Sequence, residues 1–284
     1  MSGSLSRSIE LVKESYNVLK SDKMIVLFPV LSGIACLLCI AIFLVPAFLI
    51  RTNYPEGVIS EILLYGALFV FYLVTSFIAI FFNTALITCA NIRLSGGDPT
   101  FHDGISNSTG NIGKIFAWAL ISATVGVILS IIRDKTNFIG QIIISFIGVA
   151  WNLLTYFVVP VMIFEDKSVI SSIKESGQLF RKTWGESIVG SGSIALIFVV
   201  IALFALIPLF FLLLSGNSLL EIGGIIGYII LVVILAIGAS ALQGIYTTAL
   251  YQYAKTGKVP SQFRSELITD AFVQNVKTRN RGNI

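Results

Sequence analysis

Long runs of apolar residues, unbroken by charge, are what most restricts the fold of this chain. A helix of roughly 18 or more apolar residues is long enough to cross the hydrocarbon layer of a bilayer. Six such runs occur, near residues 24–50, 62–90, 115–132, 138–164, 188–214 and 222–252. No backbone group can stay unpaired in lipid, so each run must satisfy its own peptide groups by coiling. The other spanning form, a β-barrel, needs short alternating segments, and these runs do not alternate. Only 12% of residues are charged, about half the share of a soluble domain, and the mean hydropathy is +0.91. The expected fold is an all-α polytopic transmembrane helix bundle of about six spans, with amphipathic helices on the cytoplasmic side. The expected division is an amphipathic helix at 1–23, a membrane domain at 24–254 and a tail with a further amphipathic helix at 255–284. The first apolar run, Met24 to Ile50, is too long for a signal-peptide core and reads as a permanent span.

Charge placement orients the bundle. Of nineteen lysines and arginines, sixteen fall in the N-terminal segment, the loops after spans two and four, and the C-terminal tail. Only Arg51, Arg133 and Lys135 fall on the other side. Cytoplasmic loops carry the excess of Lys and Arg, so the basic side is expected to be cytoplasmic, with both termini there. The net charge of +4 therefore points to topology and anionic lipid rather than to nucleic acid.

The basic-side segments have helical periodicity. Leu5, Ile9, Val12, Tyr16 and Leu19 share one face of the first. Ile170, Ile173, Phe180 and Trp184 share one face after span four. Phe263, Leu267, Ile268, Phe272 and Val276 do so in the tail. Such helices lie in the membrane interface with their bases toward headgroups, or pack against the rim of the bundle. In the loop after span two, Gly96 and Gly97 end a helix, Asp98 is suited to an N-cap and Pro99 to the first helical residue. Val12-Lys13-Glu14-Ser15 resembles Ile173-Lys174-Glu175-Ser176, and Ile105 to Lys114 is a weaker third copy. This suggests three units, each an amphipathic helix followed by a hairpin of two spans.

Every acidic and basic residue lies outside the spans or at their ends. Charge buried in lipid is costly and marks function, so its absence argues against a proton relay, a voltage sensor or a charged pore ring. A single histidine, His102, excludes the usual two-histidine zinc site of a membrane protease. Cys36, Cys39 and Cys89 lie in apolar runs and read as small packing residues. No catalytic residue, metal site or cofactor is expected, and the chain reads as non-enzymatic. Uncharged polar residues do occur in the spans, and Asn83, Thr84, Asn152 and Gln243 are the candidate intramembrane polar residues. Each needs a partner and is expected to face the interior, as interhelical glue or as a polar site at mid-depth. Small residues mark close helix packing, above all Gly223 and Gly227 in a GxxxG of span six, within the chain or between two copies. Pro29, Pro46, Pro160 and Pro208 lie nearer span ends than centres, so no span is expected to be broken at its middle.

The stretches Leu27-Phe28-Pro29-Val30-Leu31-Ser32-Gly33, Ala117-Trp118-Ala119-Leu120-Ile121-Ser122-Ala123-Thr124-Val125-Gly126, Ala150-Trp151-Asn152 with Phe157-Val158-Val159-Pro160-Val161, and Lys182-Thr183-Trp184-Gly185-Glu186 carry a resemblance. Over about residues 5 to 200 the chain resembles a prokaryotic domain-of-unknown-function family of six-span integral membrane proteins. The resemblance implies a multi-pass plasma-membrane protein and supplies no activity. In layout the chain also resembles the membrane domain of glycerophosphodiester phosphodiesterases, which implies a role beside lipid. The expected partners are membrane lipids, another membrane protein or a second copy. The alternative is a transporter or channel for a neutral or apolar solute, using Asn83, Asn152 and Gln243.

Overall fold

A computed structural model describes residues 2–53 and 57–263, with no strand among them. Among the described residues ten α-helices follow one another: α1 Ser2–Ser21, α2 Leu27–Asn53, α3 Val58–Leu94, α4 Phe101–Gly110, α5 Ile112–Asp134, α6 Phe138–Leu154, α7 Val158–Phe164, α8 Val169–Lys182, α9 Trp184–Leu213 and α10 Ser218–Thr256. Among the described residues six stretches are long and apolar enough to cross a membrane: Lys23–Pro46, Glu61–Leu94, Ile112–Asp134, Phe138–Phe164, Ile194–Leu213 and Ser218–Thr256. The protein is a multi-pass membrane protein with an all-α fold. Its expected tail helix, Leu267 to Val276, lies outside the described residues, as do the side chains of Leu5, Ile9 and Trp184.

Local chemistry sets the helix ends. Asp22 caps a short 3₁₀ turn, Lys23–Val26, by accepting from the Met24 N–H. Asn137 and Asn217 cap α6 and α10. At the end of α10, Gly257 takes a left-handed backbone, φ 68°, which costs glycine little. The cap of α4 differs from expectation. Thr100, not Asp98, is the N-cap, and it forms a reciprocal capping box with Asp103. A hydroxyl acceptor with a carboxylate three residues on satisfies two backbone donors, where Asp98 alone would satisfy one. Asp98 pairs instead with Arg93, at 3.1 Å.

The fourth span is interrupted where the sequence reading left it continuous. α6 ends at Leu154 and α7 starts at Val158. Pro160 has no N–H, and its ring would crowd the carbonyl four residues back, at Tyr156. The Phe157 N–H exposed by the break donates to Ser176 Oγ of α8, at 2.9 Å.

The chain divides into two compact units. One comprises Met1–Leu27, Ala90–Pro99 and Thr183–Ile284. In it α9 and α10 run with their backbones close together, and α1 packs on both. A Cβ on Gly224 would meet Leu212 Cδ1 at 2.9 Å, and one on Gly238 would meet a Phe198 ring carbon at 3.3 Å. Gly223 and Gly227, the expected contact pair, face open space. The GxxxG spacing gives a smooth face but does not fix which face the neighbour takes.

The other unit comprises Phe28–Cys89 and Thr100–Lys182. There α4 docks on α2 and α3. Phe101 stacks on Phe28 with ring centres 5.2 Å apart. Gly104 sits so close that a Cβ would lie 2.9 Å from the Ala85 carbonyl oxygen and 3.0 Å from Cys89 Sγ. α8 docks on α5, α6 and α7, with Tyr156 against Phe180. Trp118 and Trp151 join α5 to α6.

Each hairpin of spans thus carries one shorter helix: α4 on α2–α3, α8 on α5–α7, and α1 on α9–α10. The sequence reading grouped each such helix with the hairpin after it. The structure packs α4 and α8 on the hairpin before, and α1 on the last. The three segments still match in one respect. Ser15, Ser108 and Ser176, at corresponding places, are all fully buried. Ser108 Oγ donates to the Phe81 carbonyl, at 3.0 Å, much as Ser176 Oγ serves the Phe157 N–H.

Candidate functional site

The candidate polar residues differ in burial. Thr84 is fully buried and its hydroxyl has no partner. Asn83 and Asn152 are exposed, and Gln243 is half-buried. Asn83 and Asn152 therefore differ from the expected inward orientation. Depth accounts for Asn83 and Gln243. Asn83 stands 22 residues beyond Glu61, and Gln243 stands 22 residues beyond Glu221. At 1.5 Å per residue that is about 33 Å along each axis, slightly more than the roughly 30 Å hydrocarbon layer. With the acidic residue of each helix outside the lipid, the amide stands near the opposite boundary and not at mid-depth. There an amide reaches water or headgroups and has no need of a buried partner.

Polar pairing is concentrated beyond these two residues. Thr88 Oγ1 donates to the Thr84 carbonyl at 2.8 Å and accepts from Asn107 Nδ2 at 2.7 Å. Gln252 Nε2 donates to Asn91 Oδ1 at 2.8 Å, and Gln262 Nε2 donates to the Arg93 carbonyl at 3.0 Å. Gln252 escaped the sequence reading because nothing local marks a partner 161 residues away.

Charges near α8 are partly paired. Lys114 pairs with Asp166, and Lys167 pairs with Glu165, at 2.7 Å, and with Glu175. The Lys114 hydrogen bond holds the Asp166 carboxyl below the ordinary carboxylate range. Hydrogen bonds from Lys167, first to Glu165 and then to Glu175, hold its ammonium above the ordinary lysine value. Thr100 holds Asp103 low through its hydroxyl and its backbone N–H. Among the described residues no three His, Cys, Asp or Glu side chains come close enough to hold a metal ion.

The packed faces of α1 and α8 also differ from expectation. On α8 the buried residues are Val169, Ser172, Ser176, Leu179 and Phe180, while Ile170 is 58% exposed. On α1 they include Glu14, Ser15, Val18 and Leu19, while Tyr16 is 54% exposed. Serines take the inner face because they allow close approach and can bond backbone groups, which an apolar pattern does not register. Both helices pack on the bundle, and both turn basic residues outward. Lys13, Tyr16, Asn17 and Lys20 form the outer stripe of α1; Ile170, Lys174, Gln178 and Arg181 form that of α8. The outer residues of α4, His102, Ser106 and Thr109, include no lysine or arginine.

A family model covers this architecture from Ile62, inside α3, to Ser261, just past α10. The chain belongs to a family of unknown function, DUF6159. The DUF6159 match takes in α4, α8 and five of the six spans whole or in large part, and leaves α1 and α2 outside it. No curated protein matches the chain.

Proposed function

We propose that this protein resides in the plasma membrane with both termini in the cytoplasm. It acts without catalysis, binding membrane lipids or a partner membrane protein at its basic end. The observation that carries this reading is the pair of outward basic stripes on α1 and α8. Lys13, Lys20, Lys174 and Arg181 are exposed and form no ion pair among the described residues. The 16-to-3 split of basic residues supports the orientation. The layout likeness to the membrane domain of glycerophosphodiester phosphodiesterases points the same way, toward lipid. The transport alternative would need Asn83, Asn152 and Gln243 to line one water-accessible path, and two of the three are exposed.

The test is labelling of single engineered cysteines, in a chain lacking its native three, with a membrane-impermeant thiol reagent. Cysteine at Lys20 or Lys174 should react only in permeabilised cells. Cysteine at Asn137, between α5 and α6, should react in intact cells. The reverse pattern would overturn the orientation and the reading with it.

A further inference from the structure

We infer that the outward face of α8 is a binding surface for anionic phospholipid headgroups. This inference rests on the reading that the protein binds lipid at its basic end, and it adds the element and the lipid class. Ile170, Lys174, Gln178 and Arg181 recur at spacings of four, four and three, so they fall within one narrow stripe. That stripe lies opposite the face that α8 packs on α5–α7. All four residues are exposed. The nearby acid on the same helix, Glu175, is held by Lys167, so the field of Lys174 and Arg181 is not cancelled from within.

The level of α8 argues for lipid rather than a water-borne anion. Gly177 rests against Leu154 of α6, itself 42% exposed. Ile112 and Phe116 of α5, on either side of the Lys114 that pairs with Asp166, are about half exposed. The apolar belt of this unit therefore reaches the height of α8. A helix at that boundary meets phosphate with its cations and acyl chain with its exposed isoleucine, the pattern of an interfacial helix. Arg181 can hold a phosphate through two parallel N–H donors, and Lys174 acts as a point charge. α4 holds the corresponding place on its own hairpin and lacks outward bases, so within this unit the surface is particular to α8.

The full chain is reconstituted in phosphatidylcholine vesicles containing brominated phosphatidylglycerol, or brominated phosphatidylcholine, as quencher. Quenching of the tryptophans, among them Trp118 and Trp151 of α5 and α6, reports which lipid occupies the adjacent positions. The brominated anionic lipid should quench more strongly. Lys174→Gln with Arg181→Gln should lower that preference, by roughly fivefold for each charge removed. Lys174→Arg with Arg181→Lys should retain it. An unchanged melting midpoint in each variant shows that the fold is intact. No preference in the wild type, or an undiminished one in the glutamine variant, would overturn the inference. So would loss of the preference to inorganic phosphate at matched ionic strength, which would assign the face to a soluble anion. Both leaflets of such vesicles have one composition, so the outcome does not depend on orientation, and its failure is separable from that of the cysteine-labelling experiment.

Discussion

The hairpins α2–α3 and α9–α10 solve the same problem in opposite ways. α9 and α10 approach backbone to backbone, with Gly224 against Leu212 and Gly238 against Phe198. α2 and α3 meet through side chains, with the rings of Phe43 and Phe71 5.6 Å apart. The bulk of Ile40, Leu44, Leu64, Tyr65 and Leu68 keeps their backbones separate and leaves an apolar cavity of about 330 Å³. Lipid tails are as apolar as leucine, so hydrophobicity does not draw two helices together within the membrane. Where small residues allow contact along the length, a hairpin holds itself. Where they do not, it must be held from its end. α4 does this for α2–α3, through Phe101 on Phe28 and through Gly104 between Ala85 and Cys89.

This contrast can be broken at its firmest point. Gly104→Leu would drive a side chain into the Ala85 carbonyl and the Phe28 ring. It should cost about 3 kcal/mol, at the upper end for overpacking, read as a fall in the unfolding midpoint in detergent. It should also raise the reactivity of Cys89, which lies against that contact. A smaller loss, about 1–2 kcal/mol, is expected for Gly224→Leu, since the atom it meets first is the tip of the Leu212 side chain. Gly66→Leu, in the open part of α3, meets nothing within 4 Å and should stay within about 0.5 kcal/mol of wild type. If Gly66→Leu proved as harmful as Gly224→Leu, the two hairpins would not differ as described.

The smallest effect is one of pH. Asp103 has a carboxyl held low by Thr100, so its folded pKa is below its unfolded one. Its contribution is then fully present above the ordinary carboxylate range and fades as pH falls through the folded value. The end held by α4 should loosen in acid, seen as mobility of a spin label on α4, with the transition abolished in Asp103→Asn. The Gly224 contact includes no titrating group and should show no such transition.

The six spans were legible because run length alone encodes a crossing. The ends of the spans were not. Residues 81–94 and 241–256 are apolar enough to extend a span, yet Thr84, Thr88 and Thr248 are buried there with packed helix around them. Hydropathy cannot tell a residue covered by lipid from one covered by protein. The same ambiguity placed Asn83 and Gln243 too deep. The break before Pro160 was missed because its proline lies late in the run. The faces of α1 and α8 were misread because Ser15, Ser172 and Ser176 count as polar in a pattern and pack as small. The Gln252–Asn91 bond needed the tertiary structure.

The central claim is that in α3 and α10 lipid covers the first part of the helix and protein covers the rest. α10 holds both regions. Leu219, Ile222, Ile226, Ile230 and Ile234 are exposed, whereas Ala241, Ile245 and Tyr246 are buried. Spin labels placed singly from Leu219 to Tyr251 can be tested for collision with oxygen, which dissolves in lipid, and with a nickel chelate, which stays in water. The account predicts broad oxygen access to about Gly238, then little access to either from Ala241 to Tyr251. Nickel access along the first stretch, or oxygen access continuing undiminished to Tyr251, would contradict it.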